Sequence, residues 1–338
     1  MGSHRRLAPP GFDRGALCAL STTAALLGAV SAAVPAQAAP LDDTRAEVDR
    51  LYRQAEKATE AFNEAGERAG ALRRQVGDSQ DRIARQQQRV NGLRERLGSL
   101  AGAQYRSGGL DPTLALLFSD DPEDYLDRAS VLDRITAHQA GELSELQDAL
   151  RDLAQERAEA SRQLGELEKS RKAVARHKRT VEGKLARARQ LLNSLPSAAR
   201  AAYDRASRSS RADLPGPGGA APASGRAAAA LAAARSALGR PYVWGANGPS
   251  GFDCSGLVQW SYAQAGVALP RTSQAQAYAG RQVPLSQARP GDIVTYRSDA
   301  GHVGMYAGNG QVIHAPYPGA PVRYDPVGMM PVSAVTRP

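Results

Sequence analysis

The chain has 338 residues, 42% hydrophobic but only 5% aromatic, with 43 Lys and Arg against 34 Asp and Glu for a net charge of +9. A chain of this length whose composition changes sharply along its course implies at least two domains. Its basic excess suits an anionic partner, but it carries no zinc-finger or RNP motif, so nucleic acid is set aside in favour of a membrane surface or an anionic envelope.

Arg5, Arg6 and Arg14 precede an uncharged Ala/Leu/Val-rich run that ends in Ala36-Gln37-Ala38. A positive start, an apolar middle and small residues before the cut predict a secretory signal peptide over residues 1–38. Export then places the mature protein outside the membrane, at the cell wall or extracellular face of the envelope. Of the two cysteines, Cys18 lies in the removed segment, so Cys254 is left with no intramolecular disulfide partner. A lone thiol in an exported chain is a nucleophile, a partner-seeking cysteine or a buried accident.

From Val48 to Leu100, spacing of 3 and 4 picks out sixteen positions, fourteen of them apolar, and a second such series from Leu143 to Leu195 has thirteen of sixteen. Seams of this period, with charged residues on the other faces, predict a long all-α antiparallel coiled-coil hairpin over residues 39–212. If Leu100 faces Leu143, polar Gln86 lies opposite polar Arg157, which suggests a register. Between the seams, Gly108-Gly109 and Asp111-Pro112 break the pattern. A cap at about 101–142 holds the apolar knot Thr113–Phe118, either as filling or as a docking patch for a membrane-bound partner such as a cell-division regulator. Residues 213–225 are Pro, Gly and Ala rich and form a linker.

The remainder, 226–338, holds both tryptophans and suffices for one small domain. A Gly-rich loop leads to Asp253-Cys254-Ser255 and then an apolar helical run, which puts Cys254 at a helix N-terminus, where free amides and the dipole favour thiolate. Asp292–Tyr296, His302–Ala307 and Gln311–Ala315 predict antiparallel strands. The Gly308-Asn309-Gly310 turn between the last two brings His302 and His314 together. Cys, then His on a strand, then a polar residue on the next strand is the order of a papain-like catalytic unit. One Cys and two His are too few for a closed zinc site; a Cys-His-His site with an open position is the rival, and no metal or cofactor is expected.

Pro241-Tyr-Val-Trp-Gly245, Asp253-Cys-Ser-Gly-Leu257, Pro270-Arg-Thr-Ser273, Pro290-Gly-Asp-Ile293, His302-Val-Gly-Met-Tyr306 and Val312-Ile-His314 follow in this order. Together they resemble the NlpC family of cell-wall cysteine endopeptidases, and the preceding coiled coil resembles the regulatory hairpins of exported septal hydrolases. The resemblance implies a papain-like α+β domain that hydrolyses a peptidoglycan stem-peptide bond, D-γ-glutamyl–diaminopimelate or a related one. It also implies roles. Cys254 attacks, His302 moves the proton, His314 orients the imidazole, and Tyr242 with the Cys254 amide stabilises the oxyanion. Asp253, Ser255, Arg271 and Ser273 match substrate subsites, with helix capping the rival role for Asp253 and Ser273. Regulation follows as an expectation: the hairpin occludes the groove until an envelope partner moves it. An amidase and a non-catalytic wall-binding scaffold are the alternatives.

Overall fold

A computed structural model describes residues 41–106, 122–209 and 221–338 of the chain. The signal-peptide expectation, the apolar knot Thr113–Phe118 and residues 213–220 of the linker lie outside the described residues.

Helix α1 (Leu41–Arg106) and helix α2 (Pro122–Ser194) pack side by side. Their cross-pairs run in opposite directions: Arg68 meets Glu166 at 3.1 Å, Arg82 meets Glu156 at 3.0 Å and Arg89 meets Glu145 at 2.7 Å. On α1 the buried apolar stripe is the predicted one, with Val48, Leu51, Ala55, Ala58, Ala69, Val76, Val90 and Leu93 inside. On α2 it departs from strict heptads: Ala149, Leu153, Ala160 and Leu167 are buried while Leu143, Leu150 and Leu164 stay exposed. Small Ala149 lets the helices approach closely enough for Gln86 to donate to its carbonyl at 3.2 Å. The Gln86–Arg157 pairing therefore does not form, and Arg157 donates instead to Gln87 Oε1 at 2.8 Å.

Pro196 cannot continue α2. Helix α3 (Ser197–Ser209) follows, and the Arg200 guanidinium donates to the carbonyls of Leu192, Asn193 and Leu195 at the end of α2. Tyr203 then reaches Asp49 at 3.1 Å and ties this segment to the base of the hairpin.

The C-terminal region is α+β. Helices α4 (Gly225–Ser236), α5 (Cys254–Gln264) and the single turn α6 (Ser273–Gln276) precede strands β1 (Arg281–Gln282), β2 (Ile293–Tyr296), β3 (His302–Gly308), β4 (Gln311–His314), β5 (Arg323–Pro326) and β6 (Val332–Arg337). They form one antiparallel sheet in the order β1-β6-β2-β3-β4-β5. Both sheet faces are covered at its centre. Ile293, Val303, Met305 and Ile313 pack with Leu231, Leu257 and Val258 of the helices, and Val294, Tyr296, Val312 and Val335 form a second cluster. Burial on both faces explains why β2 and β4 show apolar runs rather than alternation. Among the described residues no helix is long and apolar enough to cross a membrane.

Candidate active site

Cys254 is the first residue of α5, and Asp253 is its N-cap, accepting from the Gly256 amide at 2.7 Å. A side chain at Gly256 would put a Cβ 2.2 Å from the Ala246 carbonyl, so only glycine lets the Tyr242–Asn247 loop lie against the start of α5. Cys254 is a free, buried thiol. A single ring nitrogen of His302, the Sγ of Cys254 and a Glu56 carboxylate oxygen all lie within 4.8 Å of one another.

The β3–β4 hairpin sets the two histidines edge to face, with His302 Nε2 2.7 Å from His314 Nδ1. His314 Nε2 is in turn 2.8 Å from Asp325 Oδ2 on β5. Arg323 also donates to that oxygen at 2.7 Å. Burial drives the His314 pKa down to about 4, despite the upward pull of Asp325. A neutral His314 that donates from Nε2 to Asp325 must accept at Nδ1, so His302 donates from Nε2 and has Nδ1 left for another partner. Burial works against ionisation of Asp325, yet His314 and Arg323 outweigh it and keep the carboxyl below its usual range.

The sequence-predicted subsite residues cluster, and they already have partners. Arg271 clamps Asp253 through two donors at 2.9 and 2.6 Å and also reaches Ser255 Oγ at 2.9 Å. Thr272, rather than Ser273, caps α6. Tyr242 is buried, and its phenol is held well above its ordinary pKa by that burial, with the cysteine as the leading electrostatic influence.

Helix α1 supplies what inspection of the sequence missed. Glu56, Thr59, Glu60 and Asn63, spaced by three and four, lie buried. Glu56 Oε1 sits 2.6 Å from His302 Nδ1, and its other oxygen accepts from Arg297 at 2.7 Å. Glu60 accepts from Ser255 Oγ at 2.8 Å and from the Ser273 amide at 2.9 Å, and its Oε1 lies 3.6 Å from Cys254 Sγ. Asn63 donates to Asp253 at 3.1 Å, and Phe62 stands edge-on to Trp244 at 5.2 Å. The loop fits so closely that a Cβ at Gly245, which adopts φ +75°, would come 3.1 Å from the Phe62 ring. Beside this contact a groove of about 370 Å³ is lined by Tyr52, Glu56, Arg297, His314, Tyr317 and Arg323.

This arrangement reverses one expectation. The helix N-terminus should favour thiolate, yet burial and then the charges of Glu60, Glu56 and Asp253 push the Cys254 pKa well above that of an ordinary thiol, against the opposing amide of Val303. Burial similarly raises Glu60 to about 7, helped by the charge of Asp253. For Glu56, burial is overcome by His302 and Arg297, so it stays a carboxylate. Its short contact with Nδ1 therefore takes its proton from the imidazole. In this state Nδ1 is taken up by Glu56 rather than by the thiol.

Residues 239–334 match the model of the NlpC/P60 family. The chain is 31% identical over 336 residues to a probable endopeptidase of Mycobacterium tuberculosis, spanning 85% of this chain and 87% of that one. It is 48% identical over 118 residues to a probable endopeptidase of Corynebacterium glutamicum, covering 35% of this chain and 56% of its relative. A solved structure of a peptidoglycan hydrolase from Mycobacterium tuberculosis is 37% identical, covering 33% of this chain and 64% of the other with a TM-score of 0.31.

Proposed function

This chain belongs to the NlpC/P60 family of endopeptidases, and from that premise we propose that it is an exported, latent hydrolase of the D-γ-glutamyl–diaminopimelate bond in peptidoglycan. Cys254 is the nucleophile and His302 the base, with His314 orienting the imidazole and Asp325 holding His314 in its turn. With Nδ1 free, His302 accepts the thiol proton as Sγ adds to the amide carbonyl. The oxyanion is met by the Cys254 amide and the Tyr242 hydroxyl. Imidazolium then protonates the leaving amine, and water hydrolyses the thioester by the reverse transfer. The polar residues Ser255, Ser273, Asp253 and Arg271 line the approach to the nucleophile.

Latency is the regulatory half of the proposal, and the single observation that carries it is Glu56 seated 2.6 Å from His302 Nδ1. The base is occupied, the thiol is buried beneath Glu60, and no substrate carbonyl can reach Sγ while α1 stays docked. The coiled-coil hairpin would be drawn away by a membrane-bound partner, a cell-division regulator for example, engaging its far end, where Leu126, Val131 and Ile135 are exposed.

The test is digestion of defined muropeptides by the full chain and by its Glu56→Lys/Glu60→Lys form, each with a Cys254→Ala control, and identification of products by mass spectrometry. Cysteine-dependent release of an L-alanyl-D-glutamate-bearing fragment, faster in the charge-reversed form, is the expected result. Release of the intact stem peptide from the sugar would make the enzyme an amidase. Wall binding without cleavage by any form would make it a scaffold.

A further inference from the structure

Glu56 contributes more than a plug. Sequence considerations allowed Cys254, His302 and His314 as an open metal site, but the two histidines are bonded to each other, which takes His314 out of a ligand set with Cys254. The third donor comes from the hairpin: a Glu56 carboxylate oxygen, Cys254 Sγ and one His302 ring nitrogen converge within 4.8 Å, all three residues buried. We propose that docking of α1 completes a zinc site, with Cys254 Sγ, His302 Nδ1 and the Glu56 carboxylate as its protein ligands, so that the metal locks the latent state.

Thiolate, imidazole and carboxylate are the donor types zinc takes, at about 2.0–2.3 Å, which sets tetrahedral ligand atoms about 3.3–3.8 Å apart. The contacts to sulfur, at most 4.8 Å, must shorten by up to about 1 Å or slightly more. Nδ1 and Oε1, 2.6 Å apart with a proton between them, must open by somewhat less than 1 Å as the ion replaces it. Binding expels that proton and the thiol proton, so one zinc ion enters and two protons leave. The outer contacts are those of a metal-bound histidine: His302 donates its other nitrogen to His314, which is held by Asp325, and this fixes the tautomer that leaves Nδ1 free to ligate. Arg297 steadies the second Glu56 oxygen at 2.7 Å. Glu60 Oε1 lies 3.6 Å from Sγ. Two ligands come from the catalytic unit and one from the hairpin, so bound zinc favours the docked form by mass action, and removing zinc is a step toward activation.

This inference rests on the docked arrangement of α1, and the experiment separates the two. The full chain is titrated with cobalt(II), zinc is then used to displace it, and each protein's metal-free peptidase rate is measured alongside. We expect one cobalt per chain with sulfur-to-cobalt charge-transfer absorption that is absent in Cys254→Ser. Affinity falls at least about 10-fold in Glu56→Ala. Glu56→Gln, which keeps the side chain's shape, falls in the same direction and guards against a folding defect. If the wild-type chain gives no thiolate–cobalt absorption, or if both Glu56 variants bind as tightly as wild type, the zinc site is wrong. A metal-free rate that rises in Glu56→Ala with unchanged cobalt affinity keeps the docking and removes the metal. If neither changes, both fall, and weaker cobalt binding without a faster metal-free rate keeps the metal site and removes latency.

Discussion

Two stretches of the same helix bury side chains by opposite rules. Between Ala69 and Leu93, α1 buries an apolar stripe against α2 and leaves its charges in water, where cross-pairs such as Arg89–Glu145 contribute little. Between Val48 and Asn63 it buries that stripe and, on a second face, Glu56, Thr59, Glu60 and Asn63. Carboxylates are rarely buried without partners, and each of these two has specific ones on the catalytic region. The distal stretch holds the two helices together; the proximal stretch joins α1 to the catalytic region, and the proposed latency rests on it.

The sharpest way to break that contrast is to reverse charge on the proximal face. Glu56→Lys/Glu60→Lys places cations against Arg297 and Arg271, and losing a buried ion pair costs about 3–5 kcal/mol, so the muropeptide rate should rise well over 10-fold. Glu67→Lys, on the exposed surface just beyond, should leave the rate unchanged. Equal rates for the two would remove the distinction between the stretches.

On the catalytic side, Asp325→Asn should lower kcat by about 10-fold or more, less than the ~10⁴ lost when a group bonded directly to the catalytic base is neutralised. If Asp325 acts through His314, the pH-rate profile should shift as well, and a fall in rate without that shift would make its role merely structural.

Truncating the distal seam should do something different. Leu93→Ala removes a side chain only 1% exposed and should destabilise the hairpin by about 2–4 kcal/mol, read by thermal unfolding, without raising the muropeptide rate in proportion. Activation as large as that of the charge reversal would mean that the hairpin's overall stability, and not its proximal face, sets latency.

The last effect is one of pH. The docked Glu60 pKa, about 7, lies above its ordinary 4.5, so its contribution to docking is full below about 4.5 and is lost as pH rises through 7. Glu56 has the opposite sign: its pKa is lowered on docking, so its contribution is lost only as pH falls below its ordinary carboxylate range. Between pH 4.5 and 7 docking should weaken by up to about 1.4 kcal/mol per pH unit. Thiol accessibility measured across that window checks this, and Glu60→Gln should flatten the trend.

What could be read from the sequence follows the range of the interactions involved. Cys254, His302 and His314 sit in short segments whose turns and helix start are written locally, and they were legible. Asp325 was not, because Arg323-Tyr-Asp-Pro326 lacks apolar alternation and ends in Asp-Pro, which signals a turn, and its strand exists through pairing with β4. Glu56 and Glu60 occupy positions that a heptad scan assigns to solvent, and only contact with residues about 200 positions downstream buries them. The register failed for a related reason. Matching two seams of equal length ignored that Ala149, outside the seam, lies buried against α1 while the seam's Leu143, Leu150 and Leu164 stay exposed.

The measurement that meets the central claim most directly is the alkylation rate of Cys254 by iodoacetamide, followed by peptide mass spectrometry, in the full chain and in Glu56→Lys/Glu60→Lys. If α1 covers the nucleophile, the wild-type cysteine should react at least about 10-fold more slowly than in the variant. Equal and rapid alkylation in both would show that the hairpin does not cover it.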